Sequence, residues 1–516
     1  MRHKRATGIR VMHSCAAALA AAMWLGAEAP GQAGQCQIEK LLASDGAADD
    51  FFGGSVSVSG DVAVVGAYGD DDNGTYAGSA YVFRFNGSTW VQEQKLLASD
   101  GAAGDRFGLS VSVSSAPGGE VAAVGAHANS ILGPGSGSAY IYRFTGSAWV
   151  QEQRLLASDG AAGGRFGLGV SVSGDVAVVG AYLDNATATD SGSAYVYRFN
   201  GSVWVPEQKL TAADGAAFDL FGLSVSVSGA PGGEVAVVGA YFNNDSGLDS
   251  GSAYIYRFDG STWEQEQKLT AADGAASDRF GVSVSVSADV AVVGAYLDDD
   301  NGNNSGSAYI YRFNGSAWVQ EQKLTAADGA AGDEFGWSVS IGGDIAMVGA
   351  RKHDDNETNS GSVYIYRFNG SVWMQEQELF ALDGVAGDRF GNSVSVGSSV
   401  AVVGADGVDD YGSESGSAYV FNISNACPFD LNDDGIVDFH DLVILIQRGD
   451  FTPDDVRALL DSRGPCPAPG NCDCPHDFNG DGVVNVSDLL LLIRSERGGF
   501  DVIDLLALLA AWGACP

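Results

Sequence analysis

The chain has 516 residues and a formal net charge of −38. A surface this acidic repels nucleic acid and anionic lipid, so we exclude both as partners, although the same charge also serves solubility alone. The length exceeds what one ordinary hydrophobic core organises, which leaves several domains or a ring of repeats with an appendage.

The first 33 residues have the features of a secretory signal peptide. Four lysine or arginine residues among the first ten precede an apolar run over 15–27, and small residues follow up to Ala33. We predict cleavage after Ala33. No later apolar stretch reaches the roughly 20 residues needed to span a bilayer. The sequence therefore predicts a secreted protein, extracellular or at the cell surface.

One unit recurs seven times along the chain. The pair Phe-Gly returns at spacings of 55 or 59 residues, and the longer units have four extra residues at one turn. Insertions confined to a turn indicate strands on either side of it. The seven pairs begin at Phe52, Phe107, Phe166, Phe221, Phe280, Phe335 and Phe390.

Each unit is expected to form four short strands. In the first unit these are 55–59, where Ser and Val alternate, 62–66, 80–85 and 90–96. Asn86, followed by glycine, favours a tight hairpin between the third and fourth strands, because both central residues would have positive φ. Units of four strands are typical of β-propeller blades, with an open solenoid as the alternative.

The two ends of the repeat region favour the propeller. The seventh unit has no fourth strand, whereas residues 37–42 match the fourth strand of the other units. Pairing 37–42 with 418–423 would complete the seventh blade and remove two exposed edges, which an open solenoid would not require. We therefore predict an all-β, seven-bladed β-propeller closed by an N-terminal strand.

The segments "ASDGAAGDRFG", "AVVGA" and "GSAYVF" resemble FG-GAP repeats, which form the blades of the integrin alpha-chain propeller and occur in many secreted bacterial proteins. The resemblance covers residues 37–425 and implies a binding or adhesive role. Integrin-type blades that bind calcium carry an Asp-rich loop between their first two strands. Here that turn is only Gly60-Asp61 or its four-residue extension, so we do not expect those metal sites.

The loop between the second and third strands differs from unit to unit. A variable loop on a repeated scaffold is where specificity is expected to reside. Within these loops Asp70, Asp72, Asp298 and Asp300 are candidates for holding a cation, with solvated acidic turns as the alternative.

Arg351, Lys352 and His353 form the only basic cluster in the repeat sequence. They are a candidate ligand contact, with simple solvation as the alternative. The tryptophans that recur at a constant phase predict blade packing rather than stacking on sugars.

Catalysis has little support in the sequence. The Asp of "ASDGAA" recurs at one phase of the units, which is typical of a turn residue that caps its own backbone. The histidines beyond the signal peptide are far apart, and no nucleophile motif is found. We expect a non-enzymatic binding protein. A polysaccharide-active enzyme and a structural cell-surface component are the alternatives.

Two calcium-binding loops are predicted after the repeats. Calcium prefers six to eight oxygen ligands around a tight turn, and both loops place Asp or Asn at positions 1, 3, 5, 9 and 12 with Gly at position 6. Position 7 contributes a backbone carbonyl, and position 12 is the shorter Asp rather than Glu. The predicted Ca2+ ligands are Asp430, Asn432, Asp434, Ile436, Asp438, Asp441, Asp477, Asn479, Asp481, Val483, Asn485 and Asp488.

Each calcium loop leads into an apolar helix, and a second helix follows. Duplicated loops of this kind resemble dockerin modules, and the resemblance spans residues 427–516. It implies docking onto a cohesin-like protein through loop positions 10 and 11. These are Phe439 and His440 in one loop but Val486 and Ser487 in the other, so the two halves differ.

Two disulfide patterns remain open for the cysteines that follow the signal peptide. Pairing of the end strands would bring Cys36 beside Cys427. The duplicated C-terminal sequence favours a different set, namely Cys427–Cys466, Cys474–Cys515 and Cys36–Cys472.

Together these patterns predict a signal peptide over 1–33, a seven-bladed FG-GAP propeller over 34–426 and a small α-helical, dockerin-like calcium domain over 427–516. The ring is expected to be monomeric and to recognise an extracellular polysaccharide or a cell-surface ligand through its loops. The calcium domain is expected to attach it to a protein partner or to the cell exterior.

Overall fold

The repeats form seven four-stranded antiparallel sheets that follow one another around a ring. The fold is that of a computed structural model, which describes residues 37–423 apart from Pro117, Pro231, Asp355 and Asn356. Among these described residues no helix is long and apolar enough to cross a membrane. The predicted all-β, seven-bladed propeller is confirmed.

In six blades the four strands run in chain order from the inside of the ring to its outside, and in the seventh the outermost strand is the first of the chain. Blades one to three contain β2 (Phe52–Ser59), β3 (Val62–Ala67), β4 (Ser79–Phe85), β5 (Trp90–Leu96), β6 (Val111–Ser114), β7 (Val121–Ala126), β8 (Ser138–Phe144), β9 (Trp149–Leu155), β10 (Phe166–Ser173), β11 (Val176–Ala181), β12 (Ser193–Phe199) and β13 (Trp204–Leu210). Blades four and five contain β14 (Val225–Ser228), β15 (Val235–Ala240), β16 (Ser252–Phe258), β17 (Trp263–Leu269), β18 (Val284–Ser287), β19 (Val290–Ala295), β20 (Ser307–Phe313) and β21 (Trp318–Leu324). Blades six and seven contain β22 (Phe335–Gly342), β23 (Ile345–Ala350), β24 (Ser362–Phe368), β25 (Trp373–Leu379), β26 (Ser393–Val396), β27 (Val400–Ala405), β28 (Ser417–Asn422) and, from the start of the chain, β1 (Gln37–Leu41).

The seventh blade is completed by the first described strand. Strand β1 pairs antiparallel with β28, with Lys40 opposite Tyr419 and Leu41 opposite Ala418. The same register joins Lys95 to Tyr81 in the first blade. The predicted closing strand is therefore confirmed. Its pairing covers the edge of β28 and one edge of β1, both of which would otherwise be exposed.

Serine side chains of the inner strands connect neighbouring blades. The backbone N–H of Val111 donates to Ser55 Oγ at 3.0 Å, and that of Val113 donates to Ser57 Oγ at 3.0 Å. Alternation in these strands follows from this geometry, because the valines are buried in the sheet while Ser55 and Ser57 supply acceptors to the next inner strand.

The hydrophobic core lies between the blades rather than within one of them. One cluster joins Val64 of the first blade to Phe107, Tyr140 and Trp149 of the second, and Phe107 packs edge-on against Tyr140 at a centroid distance of 5.5 Å. Trp149 is 2 % exposed and its Nε1 donates to Glu93 of the first blade at 2.8 Å. The predicted role of the tryptophans in blade packing is confirmed.

Close approach between blades requires glycine at the end of the second strand. A Cβ added at Gly66 would lie 1.8 Å from the backbone oxygen of Gly108, so any larger residue would separate the two blades.

The hairpin at Asn86 differs from the predicted two-residue turn. Phe85 pairs with Trp90, so four residues form the loop, and of the Asn-Gly pair only Gly87 has a positive φ, 98°. Asn86 Oδ1 accepts the backbone N–H groups of Ser88 and Thr89, both at 3.0 Å. The asparagine is needed as an acceptor rather than for a left-handed backbone.

Candidate functional site

The acidic loop residues of the first blade surround a lysine of the same chain. Lys95 Nζ lies 2.8 Å from Asp45 Oδ2, 2.7 Å from Asp70 Oδ2 and 2.6 Å from Asp72 Oδ2. The hydroxyl of Tyr81 donates to Asp45 at 2.9 Å. The candidate cation ligands Asp70 and Asp72 therefore hold, together with Asp45, an ammonium group, which we call the junction cation.

The same arrangement, a lysine held by aspartates where one blade meets the next, recurs in the fifth blade. We call this arrangement a junction. Lys323 Nζ lies 2.7 Å from Asp273, 3.1 Å from Asp298 and 2.5 Å from Asp300. Burial alone would lower the pKa of Lys323, but its hydrogen bonds with these three carboxylates outweigh burial and raise that pKa. All four acidic loop residues proposed as cation ligands are thus ion-paired inside the protein.

The Asp of "ASDGAA" also has a wider role than the sequence predicted. Asp45 lies in the loop after β1, in the seventh blade, whereas its partners Tyr81 and Lys95 belong to the first. Its carboxylate therefore joins two blades instead of serving the turn alone. The sequence gives no direct signal for this contact, because the partners are 36 and 50 residues away.

The basic cluster of the sixth blade is paired within the protein. Arg351 Nε lies 2.8 Å and Lys352 Nζ 2.7 Å from carboxylate oxygens of Glu334. His353 Nδ1 lies 2.9 Å from Asp333 Oδ2. These three side chains, predicted as a ligand contact, have carboxylate partners of their own.

One rim of the ring collects the side chains that differ between blades. It lies where the inner strands begin and the second strands end, and two positions of each repeat form it. The residue after Gly-Ala is Tyr68, His127, Tyr182, Tyr241, Tyr296, Arg351 or Asp406. The residue before Phe-Gly is Phe51, Arg106, Arg165, Leu220, Arg279, Glu334 or Arg389. We call these fourteen positions the rim.

The residues before Phe-Gly have a left-handed backbone in all seven blades, with φ between 55° and 62°. A left-handed φ disfavours bulky side chains, and glycine would adopt it at lower cost. Strain of this kind is concentrated at functional positions in proteins. The rim therefore keeps large side chains where the backbone alone would favour glycine.

Most rim arginines are stacked or paired. The guanidinium of Arg351 lies 3.1 Å from the ring centre of Trp337, and that of Arg279 lies 3.7 Å from the ring centre of Phe242. Arg279 also pairs with Asp249 at 3.1 Å. Arg351 and Arg279 therefore have partners within the protein.

Arg106 and Arg165 differ from the other rim arginines. They line a cavity of about 520 Å³ together with His127, Tyr182 and Tyr76. Among the described residues neither guanidinium has a carboxylate within 4.0 Å. Burial, followed by the charges of Arg165 and Arg106, lowers the pKa of His127 to about 4. The cavity thus combines two free guanidinium groups with a neutral imidazole and phenol groups.

This cavity was not predicted from the sequence. Its members come from three blades and are separated by repeated scaffold residues, so they form no local cluster. The available signal was positional: the rim residues vary while the Phe-Gly and Gly-Ala pairs beside them repeat. The variable loop does contribute, since Tyr76 belongs to the loop between β3 and β4.

Several predicted features lie outside the described residues. These are the signal peptide over 1–33, the cysteines at 36 and 427 and beyond, the calcium loops over 430–441 and 477–488, and the helical domain over 427–516. They remain predictions.

A comparison with protein families finds seven consecutive matches to the FG-GAP repeat model, at residues 36–83, 90–142, 149–197, 204–256, 263–311, 318–366 and 373–421. The matches cover more than half of the chain. Each segment begins at the outer strand of one blade and ends in the third strand of the next. No match to the curated proteins was found. The chain belongs to the FG-GAP repeat family, and its seven repeats build the seven blades of the propeller.

Proposed function

We propose that this is an exported, non-catalytic binding protein whose propeller recognises an anionic ligand at the cavity between Arg106 and Arg165. The ligand class that fits best is an extracellular polysaccharide that bears carboxylate groups. Aromatic and guanidinium groups together bind such sugars, because the rings pack against apolar sugar faces while arginine pairs with carboxylates.

The two arginines without carboxylate partners carry this proposal. In a chain with a formal net charge of −38, a free guanidinium has many acidic residues to pair with, and the other rim arginines do pair. Two that share a cavity and remain unpaired supply a charge that the ligand can neutralise. Their planar donors match a carboxylate in a bidentate arrangement.

The acidic side chains of the ring support a binding role over a catalytic one. General acid–base chemistry on polysaccharides uses a pair of carboxyl groups facing the substrate. The carboxylates described at the junctions instead hold Lys95 and Lys323, and those beside the sixth blade's basic cluster hold Arg351, Lys352 and His353.

The predicted signal peptide and calcium loops complete the proposal. Export would place the ring where extracellular polysaccharides occur, and a dockerin-like domain at 427–516 would attach it to a cohesin-like partner or to the cell exterior. The twelve ligands named for the two loops, from Asp430 to Asp488, would make this attachment depend on Ca2+.

The experiment compares two variants of the full chain by binding to immobilised polygalacturonate, with neutral dextran as a second surface. Arg106→Gly with Arg165→Gly removes both free guanidinium groups. Since φ is 56° and 57° at these residues, glycine relieves backbone strain and the variant is expected to fold. We expect at least a tenfold loss of binding to polygalacturonate.

Arg279→Gly is the matched control. It changes the same repeat position, with φ of 62°, but removes an arginine that is already paired with Asp249. We expect unchanged binding for this variant, and weaker binding of the native chain as salt increases. Equal binding by all three chains, or equal binding to dextran, would refute the proposal.

A further inference from the structure

The junction of the sixth blade has the opposite charge at its central position. Six blades place a lysine or arginine there, and the sixth places Glu378. The six basic residues are Lys40, Lys95, Arg154, Lys209, Lys268 and Lys323. The loop position filled by Asp70 in the first blade and Asp298 in the fifth is His353 in the sixth.

The substituted residues still meet at one point. Asp328, His353 and Glu378 each offer a ligand atom, and these three atoms lie within 4.8 Å of one another. His353 Nε2 is 3.8 Å from Glu378 Oε1, and the hydroxyl of Tyr364 donates to Asp328 Oδ1 at 2.9 Å. Asp328 lies in the loop after β21 of the fifth blade, so the group spans the seam between blades five and six.

The orientation of His353 suits a metal ligand. The residue is 3 % exposed, and its Nδ1 lies 2.9 Å from Asp333 Oδ2. Asp333 Oδ2 also accepts the backbone N–H of Ala330 at 2.7 Å, which marks this carboxylate as an acceptor. In the neutral imidazole Nδ1 therefore carries the proton, and the Nε2 lone pair points toward Glu378 and Tyr364. A carboxylate on the far nitrogen is the usual support of a metal-binding histidine.

The fold itself makes this position a cation site. In the fifth blade the equivalent point holds the ammonium of Lys323 between three aspartates. In the sixth blade Asp328 keeps its place, and the ammonium is exchanged for a carboxylate. Like charges this close disfavour each other unless a cation lies between them.

We propose that Asp328, His353 and Glu378 bind one divalent transition-metal ion, with Zn2+ as the best match. Zinc accepts mixed nitrogen and oxygen ligands at about 2.0–2.2 Å, which places neighbouring ligand atoms roughly 3.4 Å apart in a tetrahedral site. The 3.8 Å between Nε2 and Oε1 needs only a small movement to reach this. The ion replaces the junction cation and connects blades five and six.

The experiment uses the full chain, saturated with Ca2+ so that the predicted C-terminal loops do not compete. Zn2+ binding is measured by isothermal titration calorimetry, and the thermal midpoint is recorded with and without Zn2+. Glu378→Lys restores the residue of the first and fifth blades and is expected to fold. We expect it to bind one Zn2+ fewer than the native chain and to lose the Zn2+-induced rise in midpoint.

Two further variants separate the metal from other roles of these residues. His353→Gln removes the imidazole ligand and is expected to lower Zn2+ affinity at least tenfold. Lys323→Glu with Asp298→His copies the sixth-blade residues into the fifth blade and is expected to add one Zn2+. The rival explanation is a protonated His353 that serves as the cation. Equal Zn2+ stoichiometry in the native and Glu378→Lys chains would overturn the metal site.

Discussion

The hydroxyl of Ser395 accepts the backbone N–H of Val58 at 3.0 Å, although 337 residues separate them. This bond repeats, at the closing seam, the serine contact that joins neighbouring inner strands elsewhere in the ring. At the outer side of the same seam, the backbone N–H of Trp90 in β5 donates to Glu39 Oε2 in β1 at 2.7 Å. The first and last blades are therefore joined at both the inner and the outer strands.

Loss of the closing strand's core contact should destabilise the whole ring. Leu41 is 2 % exposed and packs in the cluster shared by blades seven and one. We expect Leu41→Ala to lower the free energy of unfolding by about 2–5 kcal/mol, because a buried cavity replaces the side chain. Denaturant unfolding followed by circular dichroism measures this change.

Ile38 offers a control on the same strand, since it is 44 % exposed. Ile38→Ala should change the free energy of unfolding by no more than about 0.5 kcal/mol. A similar loss in both variants would contradict the proposed role of the Leu41 contact.

Removal of a junction cation should destabilise the protein in a pH-dependent manner. Lys323→Met leaves Asp273, Asp298 and Asp300 without their shared ammonium. Burial raises the pKa of Asp273, but its bonds to Lys323 and Tyr309 outweigh burial and hold that pKa below 3.8. The resulting stability is present above pH 3.8 and is lost as the pH falls through the lower folded-state pKa.

The thermal midpoint of Lys323→Met should therefore lie well below that of the native chain at pH 7.5, and the difference should shrink as the pH falls below 3.8. Midpoints measured from pH 7.5 to pH 3 test this. A difference that stays constant with pH would show that lost packing, rather than charge, explains the effect.

A buried carboxyl should produce the opposite pH dependence. Burial raises the pKa of Asp278 to about 6, and Asp278 Oδ2 accepts the backbone N–H of Ala275 at 2.6 Å. Because the raised pKa favours the protonated carboxyl in the folded state, the contribution of Asp278 to stability is complete below pH 3.8. It is lost as the pH rises through about 6. Asp278→Asn keeps the acceptor and avoids ionisation.

We expect Asp278→Asn to raise the thermal midpoint at pH 8 and to leave it unchanged near pH 4. Asp289→Asn, at an exposed turn, should have no effect at either pH. A stabilisation by Asp278→Asn that is as large at pH 4 as at pH 8 would rule out ionisation as its cause.

Calcium removal should affect the C-terminal domain and spare the ring. The ion pairs at the junctions of the first and fifth blades use lysine of the chain itself, so calcium chelation by EGTA, with Zn2+ kept in excess, is expected to leave the ring intact. We expect the β signal in circular dichroism to persist, while proteolysis within 427–516 accelerates. Asp430→Ala with Asp477→Ala should behave in calcium as the native chain does in EGTA. Loss of the β signal on chelation would contradict this division.

The architecture could be predicted because local and periodic sequence patterns indicate the number of blades and the closing strand. The Phe-Gly spacing gave seven blades, and the unmatched segment at residues 37–42 gave the closing strand. The junctions and the rim could not be predicted in this way. Lys95 and Asp45 are 50 residues apart, and only the stacking of one blade against the next brings them together.

The turn at Asn86 shows a different limit. A short motif identified the hairpin correctly, but the loop length depended on Phe85 pairing with Trp90, which the motif does not encode. The rim arginines show a third limit. The sequence places Arg106, Arg165 and Arg279 at equivalent positions, whereas only the structure distinguishes the paired from the unpaired ones.

Each family segment supplies the outer strand of one blade and the first three strands of the next. Asp45 and Tyr81, which join two neighbouring blades, therefore both lie within a single family segment. A chain opened between segments at any other seam would again carry a lone outer strand at its start and an incomplete blade at its end. Circular permutation of the ring at these boundaries is thus compatible with the way the repeats divide it, and the seam between β28 and β2 is one of seven equivalent places at which the ring can be opened.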